Sequence, residues 1–252
     1  MKNRLVALRE RLSPAGIDGL LITRPENRRY ITGFTGSAGV VVVSPDHACF
    51  ITDFRYVEQA AYQAPEFRVI EHGLKLADSL RDIAEEAGIS RLGFEKDVIT
   101  YKQHETFSSA LAGIELVPTE GLVETQRAVK DESEIEAIRR AEAIGDAAFS
   151  HVLDIIKPGM TEIDVALEIE WFMRKNGAEG IGFDVIVASG ERGAMPHGVA
   201  SSKKLAEGEL VVMDFGAVYH GYRGDMTRTV SLGKASPEQR RLYDIVLRAQ
   251  EA

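Results

Sequence analysis

Two aspartates and a histidine carry the chemistry most readable in this chain. Asp214 and Asp225 lie in the runs ELVVMDFGAVY and YRGDMTRTVSL, which alternate as strands do and flank Tyr219-His220-Gly221, a plausible turn. A turn centred between Tyr219 and His220 sets Asp214 directly across an antiparallel pair from Asp225. Side chains so opposed have Cβ atoms ~4.5–5.5 Å apart, and two like charges there repel. The pair then needs a shared proton, a basic partner or a bound cation. Two metal ions ~3.5–4 Å apart can be bridged by carboxylates held this way. Val211, Met213 and Phe215 make one apolar face, while Leu210, Val212, Asp214 and Gly216 make the other, so Asp214 also has apolar neighbours. Asp225 shares its face with Thr227 and Thr229, whose hydroxyls can steady ligands.

His197 stands in GAMPHGVAS, between Pro196 and Gly198, in a loop after the strand FDVIVAS. Loops beside strand ends commonly present catalytic histidines. His220 is a weaker second candidate, because it falls in the turn. His151 lies on a helix and reads as packed or surface. His47, His72 and His104 lack a comparable setting.

The elements around these residues are mixed. Leu5, Leu8 and Leu12 followed by Gly16 make a short amphipathic helix. The apolar runs GLLIT, GVVVV and ACFIT read as strands, and Asp53 reads as the cap of a helix over about 54–63. Residues 76–87 read as a helix ending at Gly88. RLGFE and IELVP read as strands, with a helix between them near 101–112. This alternation predicts an α/β domain, a mixed sheet with flanking helices, over residues 1–123. Residues 118–133 read as a connection. A long helix then carries Ile135, Ile138, Ala141, Ile144, Ala148, Val152 and Ile155 on one stripe and stops at Pro158-Gly159. Thr161 with Asp164 resembles a capping box opening a helix to about 175, with Gly177 beyond its end. Strands follow from 183, and residues 237–252 return to a helical pattern.

At this point the sequence resembles the "pita-bread" metallopeptidases, in their Xaa-Pro aminopeptidase and prolidase branch. FDVIVASGERGAMPHG and ELVVMDFGAVYHGYRGDMTRTV carry the likeness in the second half. ENRRYITGFTGSAG and FITDFRYVEQA resemble the creatinase-type N-terminal domain of that branch, and GLVETQRAVKDESEIEAIRRAEAI its linker and following helix. The resemblance implies residues 124–252 to be the N-terminal half of an α+β pita-bread catalytic domain, incomplete as it stands. It implies Asp214 as ligand of one metal, Asp225 as ligand bridging two, and His197 as a non-ligand histidine contacting substrate. It implies two divalent cations, manganese first with cobalt or zinc as alternatives, proline-containing peptides as substrate, and a homodimer. It also implies a further histidine and two glutamates that would follow residue 252, so this polypeptide alone is expected to be inactive or nearly so. The competing expectations are a metal-free, creatinase-like hydrolase and a non-catalytic binding protein of the same fold; the retained aspartate pair argues against the first.

Composition narrows the rest. The 252 residues are 44% hydrophobic and 27% charged with a net charge of −9, which supports a packed core. With no basic tract, nucleic acid and anionic membranes are disfavoured partners. A single cysteine, Cys49, excludes an internal disulfide and reads as a buried, inert thiol. No run approaches the ~18 apolar residues of a membrane span, and the start does not read as a signal peptide, so a cytoplasmic location is expected. The glycine-rich run Gly33–Gly39 precedes a strand and carries no Lys, so it reads as a structural turn rather than a phosphate loop. Arg28, Arg29 and Arg55 read as solvated, and Trp171 as core.

Overall fold

The leucine stripe at the start folds as its spacing requires: α1 (Lys2–Leu12) buries Leu5, Leu8 and Leu12, and Gly16 turns the chain at φ 67°. A computed structural model describes residues 2–252. The chain divides into two compact units, the first ending at Lys130 and the second beginning at Asp131.

The first unit is a six-stranded mixed sheet with flanking helices. Its strands are β1 (Gly19–Ile22), β2 (Val40–Val43), β3 (Ala48–Thr52), β4 (Arg68–Glu71), β5 (Arg91–Glu95) and β6 (Glu115–Thr119), in the order β4-β3-β2-β1-β5-β6. The contacts β1–β2 and β2–β3 are antiparallel, and the other three are parallel. Leu20, Ile22, Val41 and Val43 feed the core that α1 covers, and Leu21, Val40, Val42 and Ile51 feed the core on the other face. Burial on both faces is why these strands read as unbroken apolar runs instead of alternating ones. The helices are α2 (Pro25–Thr32), α3 (Val57–Gln63), α4 (Leu76–Glu86), α5 (Tyr101–Ala110) and α6 (Glu124–Ala128). Arg127 donates to Asn27 Oδ1 at 2.8 Å, which ties the last helix to this unit.

Several local expectations change here. Arg28 is buried, not solvated: its guanidinium donates to the carbonyls of Gly39 at 2.5 Å and Gly36 at 2.7 Å and staples the glycine-rich turn. Asp53 does not cap α3. It binds Arg55 through both carboxylate oxygens at 2.8 Å, and that guanidinium holds its carboxyl at about 2. Cys49 is buried, and burial pushes its thiol up, as an inert thiol requires.

The second unit is α+β. The long helix α7 (Glu132–Ile155) starts on an Asp131–Glu134 capping box and α8 (Glu162–Lys175) on the Thr161–Asp164 box. They pack together and bury Ile144, Ala148, Val152, Val165, Ile169 and Met173 against strand residues Val187, Val211, Met213 and Phe215. Trp171 lies off the buried stripe of α8 and is 52% exposed, so it is not a core residue. Six strands follow: β7 (Gly180–Ile181), β8 (Ile186–Ser189), β9 (Leu210–Phe215), β10 (Ala217–Tyr219), β11 (Tyr222–Arg223) and β12 (Met226–Ser231). They form two three-stranded sheets, β12-β9-β8 and β11-β10-β7. The last helix, α9 (Pro237–Glu251), buries no residue, and its Leu242, Ile245 and Val246 are exposed. No helix among the described residues is long and apolar enough to cross a membrane.

Candidate metal centre

The hairpin that carries both aspartates turns one residue later than expected. His220 and Gly221, at φ 49° and 82°, form the two-residue turn, the consecutive positive values that tight hairpins need. Tyr219 pairs with Tyr222, and the same register continues as Phe215 with Met226 and Asp214 with Thr227. Asp214 and Asp225 are therefore not directly opposed. Moving the turn centre by one residue moves each partner by two, which preserves the faces. The acids remain on one face as diagonal neighbours, a relation that spaces residues ~7–8 Å apart.

A pinch in the hairpin lies beside them. It passes from one three-stranded sheet to the other at Gly216 and Gly224, and a Cβ on Gly216 would stand 1.8 Å from the Gly224 carbonyl oxygen. Only glycine admits this approach, and Asp225 follows it directly, between β11 and β12. Helix α7 holds the second strand of the hairpin from behind. Glu142 accepts from the Asp225 backbone N–H at 3.2 Å, Tyr222 donates to the buried Glu134 at 2.7 Å, and Asp146 lies 3.8 Å from Arg228. Glu134, Glu142 and Asp146 were not singled out from the sequence. Their signal is an acidic stripe at multiples of four along a helix whose apolar stripe faces elsewhere.

His197 is exposed, in the loop after a short 3-10 turn at Gly190–Ala194. Val199, two residues on, bridges to Ile186 of β8, and Ile186 pairs with Asp214 of β9. Val199, Ile186, Asp214 and Thr227 thus form one row across the sheet. The three residues expected to act together are brought within electrostatic reach. Burial raises the Asp214 carboxyl above its usual range, the Thr227 hydroxyl opposes this, the Asp225 charge adds to it, and His197 opposes it again. His220 is not in this group; it stacks on Tyr219 in the turn, 4.3 Å between centroids. His151 stacks on Phe172 at 4.4 Å.

Asp214 Oδ1 is buried and has no hydrogen-bond partner. A carboxylate oxygen so placed is costly unless something positive completes it. Hard oxygen donors from two aspartates suit divalent ions such as manganese or magnesium in type. In number they are few: no group of three or more His, Cys, Asp or Glu side chains able to hold a metal occurs among the described residues.

A second acidic centre lies where the start of α8 meets the end of β8. Glu162, at the start of α8, is fully buried and accepts from Ser189, Ser201 and Arg192. Burial alone would raise its carboxyl; the Ser201 and Ser189 donors outweigh this and lower it.

Comparison with known proteins gives the family. Residues 136–252 match the metallopeptidase family M24, and residues 4–129 match the creatinase/prolidase N-terminal domain. An uncharacterized peptidase of Bacillus subtilis, YqhT, is 49% identical over 98% of this chain and 70% of its own length. An Xaa-Pro dipeptidase of Pyrococcus furiosus is 34% identical over 100% of this chain and 71% of its own. Among solved structures, an Xaa-Pro dipeptidase from Bacillus anthracis superposes with a TM-score of 0.95 at 47% identity, covering 99% of this chain and 70% of that one. The chain belongs to metallopeptidase family M24 and carries the creatinase/prolidase N-terminal domain.

Proposed function

We propose that this chain serves metal-dependent hydrolysis of the peptide bond between an N-terminal residue and a following proline, as an Xaa-Pro aminopeptidase or dipeptidase. The observation that carries the reading is the buried, unpartnered Asp214 Oδ1 facing the same site as Asp225 and His197. The Xaa-Pro dipeptidases of Pyrococcus furiosus and Bacillus anthracis supply the substrate class.

Asp214 and Asp225 would hold the metal, two ions in this reading and manganese ahead of cobalt or zinc, since the donors are oxygens. Such ions supply carbonyl polarisation and an activated water when bound. Asp214 supplies a carboxylate fixed by its strand and by Thr227. Asp225, more exposed, would share its charge between the ions. Glu142 fixes the Asp225 backbone from α7. His197, on its loop above Asp214, donates a hydrogen bond to the substrate carbonyl as it becomes tetrahedral. A homodimer in the cytoplasm completes the reading.

Because the described residues offer no third side-chain ligand beside the pair, turnover by this chain alone is expected to be weak, and metal binding is the first test. Manganese titration followed by electron paramagnetic resonance should show binding to the wild-type chain that Asp225→Ala loses. Hydrolysis of an Xaa-Pro dipeptide and an Xaa-Pro-Yaa tripeptide, with and without a chelator, completes it. Equal manganese binding by Asp225→Ala, or turnover that survives chelation, overturns the proposal.

A further inference from the structure

Besides Glu134, the second unit buries a carboxylate that the proposed chemistry does not use, Glu162. Glu162 Oε1 accepts from the Ser189 backbone N–H at 2.8 Å and its hydroxyl at 2.9 Å. Glu162 Oε2 accepts from the Ser201 N–H at 3.1 Å, its hydroxyl at 2.7 Å, and Arg192 Nε at 3.0 Å. These donors have an order along the chain. Ser189 ends β8, Arg192 sits in the 3-10 turn, and Ser201 is where the chain comes back. One carboxylate therefore closes the 189–201 loop at both ends and grips its middle. Lys203 braces the near end, donating to the Ser189 hydroxyl at 2.8 Å and to Glu209 at 2.7 Å.

Arg192 carries the constraint onward. Its Nη2 donates to the Val199 carbonyl at 2.6 Å, and the Val199 N–H donates to the His197 carbonyl at 2.9 Å. Val199 also bridges to Ile186, in the row that holds Asp214. Apolar burial does little to order this loop, since its large apolar side chains Met195 and Val199 are 53% and 56% exposed. Segments with few buried apolar contacts open readily unless polar contacts hold them.

We propose that Glu162 is a positioning residue: through Arg192 it fixes the 189–201 loop so that His197 stands over the Asp214–Asp225 pair. What His197 does there rests on the function proposed above; the clamp does not. Each Glu162 oxygen accepts from a serine N–H, and Oε2 also accepts from Arg192; an amide NH2 on either side would face a donor, so the clamp needs both oxygens of a carboxylate.

Hydrogen–deuterium exchange on the wild-type chain, Glu162→Gln and Arg192→Gln tests the clamp. Amides of residues 191–201 should exchange at least ~tenfold faster in both variants, while those of α7 and of β9 to β12 keep wild-type rates. Unchanged loop exchange in a folded Glu162→Gln chain overturns the proposal, as does acceleration spread evenly over the second unit. Should Glu162→Gln fail to fold, Arg192→Gln decides, because it cuts the link to Val199 and spares both serines. A second readout addresses position: manganese should broaden the His197 ring proton signals in the wild type and broaden them less in the variants at unchanged manganese affinity. Equal broadening overturns the positioning role. A wild-type signal that manganese leaves sharp counts against the metal reading instead, and exchange still settles the clamp.

Discussion

Glu162 and Asp214 are both carboxylates drawn out of water in the same unit, and the fold treats them in opposite ways. Glu162 is surrounded by five donor contacts from three residues, and their sum lowers its carboxyl despite complete burial. Asp214 has an oxygen with no partner, a like charge nearby, and a carboxyl raised by burial. A satisfied buried charge stabilises the loop it grips; an unsatisfied one weighs on the fold and waits for a cation. Burial alone does not separate a structural acid from a functional one. Counting donors does.

The largest expected effect breaks the satisfied side. Glu162→Ala leaves Arg192 Nε and the buried Ser189 N–H without their acceptor and should cost about 3 kcal/mol, the low end for breaking a buried pair, because Arg192 is 27% exposed. Trp171 is the only tryptophan and lies in the second unit, so urea unfolding followed by its fluorescence reads this unit alone. A loss under about 1 kcal/mol, the usual value of one neutral hydrogen bond, would place Glu162 with ordinary surface acids. Next comes the unsatisfied side. Asp225→Ala should leave that unfolding transition nearly unmoved while weakening manganese binding by more than about 100-fold, since even outer partners of metal ligands are worth 10–100-fold. A large stability loss with intact manganese affinity would reverse the roles assigned to the two acids.

How much of this was legible depended on the range of the interactions. Strands β1, β2 and β3 announced themselves because both of their faces are buried; β4, with Arg68 and Glu71 exposed at its ends, did not. The capping box at Thr161 was read from residues three apart. Helix α2 was overlooked, although Pro25 at its start and Gly33 at φ 81° beyond its end are a recognisable pair; its eight residues are rich in polar side chains and show no apolar stripe. The hairpin turn was placed one residue early because His220-Gly221 is not an Asn-Gly or Asp-Gly pair. The shared face of the acids survived, since a two-residue slip in pairing keeps side chains on their side. Arg28 and Glu162 were invisible for another reason. A cation stapling two carbonyls of a turn has no periodicity, and the donors of Glu162 come from 27, 30 and 39 residues away. His197 could be named from its loop, but what holds that loop could not.

The smallest effect tests the comparison through its sign. The raised Asp214 carboxyl means that the folded chain holds this proton better than the unfolded chain does. Its contribution to stability is fully present below the unfolded value and is lost as pH rises through the folded one. Glu162 runs the other way: with a lowered carboxyl it stabilises the fold above the ordinary carboxylate range and loses that as pH falls through its folded value. In metal-free protein near pH 7, Asp214→Asn should therefore stabilise the second unit, by about 1 kcal/mol for relief of one poorly satisfied charge. The advantage should fade as pH is brought to about 3, below the unfolded value of ~3.9, where wild-type Asp214 is protonated too. Losses at other acids, Glu162 included, occur in both proteins and cancel from the difference. Saturating manganese should reverse the ranking at neutral pH, because only the wild type gains the binding energy. Trp171-detected unfolding of the two proteins at both pH values, with and without manganese, checks all three signs. A destabilised Asp214→Asn chain without metal at neutral pH would mean that Asp214, like Glu162, is a carboxylate the fold needs charged.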